Sequence, residues 1–140
     1  MTSRRPGQIL PLMSIMIVVL LVVTGLALDG GQALVARREA QGVADAAARR
    51  GADQVDEASV RAGDNPPKLD TNAAYAAAAN YVAIQRPGMF ATILVAPQRV
   101  DVHVSLKLEL TFMRLAGLSS ATIDADGSAE PRTGITVIGN

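Results

Sequence analysis

His103 is the only histidine in the chain, and it stands between Asp101 and Ser105 at alternate positions. A carboxylate, an imidazole and a hydroxyl are the groups of nucleophilic catalysis. On a strand, alternate positions share a face but stand about 6–7 Å apart, too far for each group to hydrogen-bond the next. We therefore expect an exposed strand histidine. Asp124 and Asp126 also share a face. Two carboxylates fall short of the six to eight oxygens that calcium takes, so a solvated edge is expected. With one His and no Cys, a His-based metal site needs ligands from a second chain. Gly30-Gly31 follows an apolar run rather than a strand, so it is no phosphate loop. Arg37-Arg38 and Arg49-Arg50 suit anionic headgroups or a partner's acids, although a wet helix face is expected for Arg49-Arg50. No catalytic, cofactor-binding or metal set emerges, and no enzyme is expected.

The elements that carry these residues are organised around Gln8 to Leu28, QILPLMSIMIVVLLVVTGLAL. This run holds no charge. A bilayer core of about 30 Å takes about 20 apolar helical residues to cross. Pro11 lies near its start, where a missing N–H does least harm. Residues 8–28 therefore read as a transmembrane helix. Arg4 and Arg5 precede it, which places residues 1–7 in the cytoplasm as a basic N-terminus and residues 29–140 outside. A secretory signal normally has a shorter apolar region, about 7–15 residues. A cut after Ala27, with Gly25 at −3, is the competing reading, and a retained single-pass anchor in the cytoplasmic membrane is preferred.

The 140 residues allow one anchor and one small domain, of about 110 residues. A net charge of zero argues against nucleic acid as a partner. Helix formers fill 32–61. Ala36, Ala40, Val43, Ala47, Gly51, Val55, Ala58 and Ala62 form a narrow small-residue stripe at steps of three and four. The stripe admits close approach of another backbone, including self-association. Gln41, Asp45, Arg49, Asp53, Glu57 and Arg61 make a charged ladder on the other side, with Asp45–Arg49 and Glu57–Arg61 as acid-first pairs. A helix continuous from 8 to 61 would be about 80 Å long.

Gly63–Lys68 reads as a loop. Asp70 or Thr71 caps a second helix over 72–85, whose Tyr75, Tyr81, Val82 and Ile84 suit packing on the first. Residues 89–96 read as a buried strand. The strict alternation over 100–111 gives a long strand with one wet face. Phe112–Leu118 reads as a helical turn, 119–129 as a third strand, and the tail after Pro131 as an edge strand or loose segment. The apolar sheet face requires a cover, and the helix stripe supplies it. The fold expected is α+β and pilin-like: a long N-terminal helix on a small antiparallel sheet, with a second helix.

The N-terminal part resembles the TadE/TadG-like family of the tight-adherence (Tad, or Flp) pilus machinery. The likeness is carried by Arg4/Arg5, Gly7-Gln8, the apolar span, Asp29-Gly30, Arg37-Arg38, Gln41 and Ala44-Asp45-Ala46-Ala47-Ala48. The order of strand, Phe112, Leu115-Ala116-Gly117-Leu118 and strand is also similar. The resemblance implies a membrane-anchored pilin-like or pseudopilin-like component of a bacterial pilus assembly or secretion system, without catalysis. The lipid bilayer and other Tad components or pilins would be its partners. Prepilin-peptidase substrates carry Glu five residues after the junction. Here a Gly7–Gln8 junction would place Leu12 there, and the span holds no acid. That departure leans toward the TadG-like, envelope-anchored side of the family.

A different class stays open beside it: a membrane-tethered extracytoplasmic binding module, unrelated to pili, using the wet face from Asp101 to Thr111.

Overall fold

The structure is a computed structural model that describes residues 9–132. The readings made for residues 1–7, for Gln8 and for the tail 133–140 lie outside the described residues.

Helix α1 runs unbroken from Ile9 to Ala52, 44 residues, or about 66 Å at 1.5 Å per residue. Gly30 and Gly31 lie inside it and face open space. Its first half is bare: from Ile9 to Val23 every residue is exposed. Its second half is the spine of the head. Ala36, Ala40, Val43, Ala44, Ala47, Ala48, Gly51 and Ala52 are buried there.

The helix does not reach Arg61. It ends at Ala52, and a separate helix α2 covers Glu57–Ala62. The reason lies far along the chain. Residues 54–56 pair with 68–70: Val55 bridges Leu69, the Asp56 N–H donates to the Lys68 carbonyl at 2.9 Å, and the Asp70 N–H donates to the Gln54 carbonyl at 3.0 Å. Asp56 then caps α2, accepting the Ala58 N–H at 3.1 Å. Of the expected stripe, Ala36 to Gly51 is buried, whereas Ala58 and Ala62 are exposed. In the charged ladder, Glu57–Arg61 pairs at 2.6 Å, while Asp45 accepts from Gln41 instead.

Helix α3, Thr71–Gln85, is capped by Asp70, which accepts from the N–H groups of Asn72 and Ala73. It packs on α1 through Ala74, Ala78 and Val82, all buried. Tyr75 and Ile84 face solvent instead. The backbone approach that alanines permit displaces the larger side chains from the contact. Tyr81 is half-buried and lies under the Arg50 guanidinium, 5.7 Å from ring centre to carbon.

Three strands follow in an antiparallel meander: β1 Phe90–Ala96, β2 Arg99–Glu109 and β3 Ser120–Ala129. On the inner face Val104 lies between Ala91 and Ala125, Val102 between Ile93 and Gly127, and Val100 between Val95 and Ala129. Val100, Val102 and Val104 are fully buried beneath α1, and burial of each such side chain contributes about 1.5–3 kcal/mol. The outer rows run Phe90–Ser105–Asp124, Thr92–His103–Asp126 and Leu94–Asp101–Ser128. β1 is therefore no buried strand. It is an edge strand whose Phe90 and Leu94 are 77% and 66% exposed. The α+β fold, a long helix and a shorter one on a three-stranded antiparallel sheet, follows from these pairings.

Candidate functional site

Two regions concentrate side chains whose chemistry exceeds plain packing. The first is the junction of stem and head. Asp29 is the first acid after the apolar run and is 1% exposed. A buried carboxylate is costly unless it is hydrogen-bonded. Beyond Glu109 the Leu110 N–H still donates to the Ser119 carbonyl at 3.0 Å. The chain then turns into a short 3-10 helix, Met113–Ala116. The opening N–H groups of such a turn find no carbonyl within it. Asp29 accepts them from outside: Thr111 at 3.3 Å, Phe112 at 2.9 Å and Met113 at 2.7 Å. One turn earlier on α1, Phe112 sits on Gly25. A Cβ at Gly25 would lie 2.7 Å from Phe112 Cβ. The two contacts fasten the β2–β3 connection to the helix where its apolar run ends.

The second region is the outer sheet face. His103 Nδ1 lies 2.7 Å from Asp126 Oδ1, its direct cross-strand partner, and Nε2 lies 3.9 Å from Asp124. The hydrogen bond to Asp126 raises the imidazole above its ordinary value; desolvation opposes it, and the charges of Asp126 and then Asp124 add smaller contributions. Asp101 does not serve His103. It accepts from Arg99 Nε at 2.8 Å, which holds its carboxyl below the ordinary range. The Asp101–His103–Ser105 row thus forms no relay: its imidazole turns to β3. Asp124 and Asp126 both stand beside His103. Among the described residues no group of three or more His, Cys, Asp or Glu is placed to hold a metal ion. A polar hollow between α1 and β3, lined by Arg49, Asp53, Ser128, Glu130 and Arg132, is open and mixes both charges.

Residues 7–54 match the family model described as "Putative Flp pilus-assembly TadE/G-like". The TadE/G-like segment contains the whole of α1 and stops just after it, where the chain turns away at Ala52. The match is to this segment, about a third of the chain, and the apolar half of the helix within it fits a single-pass membrane anchor. No curated protein and no solved structure matches the chain.

Several residues of the TadE/G-like segment acquire physical roles. Asp29 is the clamp on the β2–β3 connection. Gln41 Nε2 donates to the Asp126 carbonyl at 2.7 Å, joining α1 to β3. Ala44, Ala47 and Ala48 are the floor on which the sheet lies. Asp29 figures in the resemblance as Asp29-Gly30, but its clamping role escaped the sequence reading because its partners are far off in sequence. The available signal was a single acid, at the exit of a charge-free run, upstream of a turn rich in apolar residues.

Proposed function

We propose that this protein is a membrane-anchored, pilin-like accessory component of a Tad (Flp) pilus assembly or secretion system, with a structural and protein-interaction role. The observation that carries this reading is the coincidence of the TadE/G-like match with a helix that is bare and apolar in one half and the spine of a head in the other. In this reading residues 8–28 cross the cytoplasmic membrane, residues 1–7 lie in the cytoplasm and the domain from residue 29 lies outside. Arg4 and Arg5 before the span support that orientation. The head contacts other Tad components or pilins, and the protein acts without catalysis. An unbroken α1 supports a mechanical part: a head clamped to its stem by Asp29 and Gly25 transmits the tilt of the span to its outer surface.

The test is a chromosomal deletion, complemented with the intact gene and with a version lacking residues 8–28. Loss of piliation and adherence restored only by the intact gene is expected. Unchanged piliation in the deletion strain would count decisively against the reading.

The exposed Phe90 and Leu94 beside His103 and Asp126 favour a second reading, a tethered binding module using the outer sheet face. Charge and apolar substitutions on that face alone, with the span intact, separate the two: the module reading requires that they abolish function.

A further inference from the structure

We propose that the β2–β3 connection, Leu110–Leu118, is a second membrane contact: it dips into the interface of the bilayer that the stem crosses. The inference rests on the anchor reading above and adds a depth for the head.

The argument begins with length. Crossing a core of about 30 Å at 1.5 Å per residue consumes about 20 residues. Ile9 to Leu28 supplies that number with none to spare, so Gly25 lies inside the apolar layer, about 4–5 Å below its edge at Leu28. Phe112 packs directly on Gly25. The head therefore reaches back past the end of the span, and Phe112 is carried to the depth of Gly25.

The composition of the tip fits that depth. LTFMRLAGL holds a single charge, Arg114. Phe112 is 43% and Leu118 52% exposed, although neither lies on the sheet's polar face. On the stem Leu26 and Leu28, close in sequence to the Gly25 on which Phe112 packs, are 55% and 50% exposed. The turn's opening N–H groups, which lipid would leave unsatisfied, are taken by Asp29. Arg114 is exposed, and its long stem suits a headgroup phosphate while the tip stays in the apolar layer. The chemistry that recognises this surface is a lipid interface with anionic headgroups.

The chain contains no cysteine, so single spin labels can be placed at will. Leu118→Cys, Val18→Cys and Thr92→Cys, each exposed, are labelled in the full chain reconstituted into phosphatidylcholine–phosphatidylglycerol vesicles. Collision with oxygen reports lipid, and collision with a water-soluble nickel chelate reports solvent. Val18 and Leu118 are expected to collide several-fold more with oxygen, and Thr92 with the chelate. A Leu118 label that behaves like Thr92 while Val18 remains in lipid overturns the second contact and leaves the anchor standing. A Leu118 label shielded from both reagents shows a protein covering the tip and also overturns it. A Val18 label open to the chelate removes the anchor itself.

Discussion

The Asp29 carboxylate accepts the Phe112 N–H at 2.9 Å across 83 positions of sequence. This bond and its neighbours at Thr111 and Met113 tie the β2–β3 connection to α1. From Ala36 onward the head holds α1 through a small-residue apolar contact and through polar ties such as Gln41 to the Asp126 carbonyl. Without Asp29 the helix between Gly25 and Ala36 would lose its polar tie to the β2–β3 connection.

Asp29→Ala removes the acceptor for these three N–H groups and is expected to cost about 3 kcal/mol, since bonds to a charged group and newly orphaned donors both weigh heavily. Asp29→Asn keeps one acceptor oxygen but turns an NH₂ group toward donors, so it should fall between. Thermal melting of the full chain in detergent checks the order wild type, Asn, Ala. An Ala variant as stable as wild type would show that the clamp contributes nothing.

Gly127 sits where β3 crosses α1. A Cβ there would fall inside contact distance of the Ala44 carbonyl carbon and oxygen. These are backbone atoms, and no side chain can rotate away. Gly127→Ala should therefore force the sheet off the helix and cost about 3 kcal/mol or more. Ala44→Gly would not relieve it, because the clash is with the main chain. Chemical denaturation of the single and double variants tests this, and rescue by Ala44→Gly would disprove it.

Periodicity exposed the parts of the fold that depend on neighbours in sequence. The alternation from Val100 onward marked β2 and its buried face, and the step of four from Ala36 to Ala40 and from Val43 to Ala47 marked the face of α1 that meets the sheet. What sequence could not display were contacts made at long range. The end of α1 is set by Leu69 pairing with Val55, although residues 53–61 carry a helical charge pattern. The apolar composition of β1 suggested burial, yet its place at the sheet's edge leaves Phe90 and Leu94 in the open. His103 was legible as a surface residue, but its partner Asp126 emerged only from the β2–β3 register.

Ser59 is a buried hydroxyl in α2, and it organises the loop that follows. Its Oγ donates to Asp64 Oδ2 at 3.0 Å and accepts the Lys68 N–H at 2.8 Å. Ser59→Ala should cost about 1–3 kcal/mol, because the Lys68 N–H loses its acceptor. Hydrogen exchange gives a local readout. The Lys68 amide should exchange much faster in the variant while those of β2 stay protected. Equal protection at Lys68 in both proteins would reject this role for Ser59.

The single histidine makes the pH dependence of the outer face readable from one resonance. His103 is raised, first by its hydrogen bond to Asp126 and more weakly by the charges of Asp126 and Asp124. A raised folded value means that protonation favours the folded state. The contribution is fully present below the unfolded value of about 6.5 and is lost as pH rises through the higher folded value. NMR titration should place the wild-type imidazole above its ordinary value, Asp126→Asn close to it, and Asp124→Asn between the two, since Asp124 stands 3.9 Å away against 2.7 Å for Asp126. Because the pair is exposed, salt should shrink the wild-type shift toward that of Asp126→Asn. Identical titrations for wild type and Asp126→Asn would mean that the cross-strand bond does not form in solution.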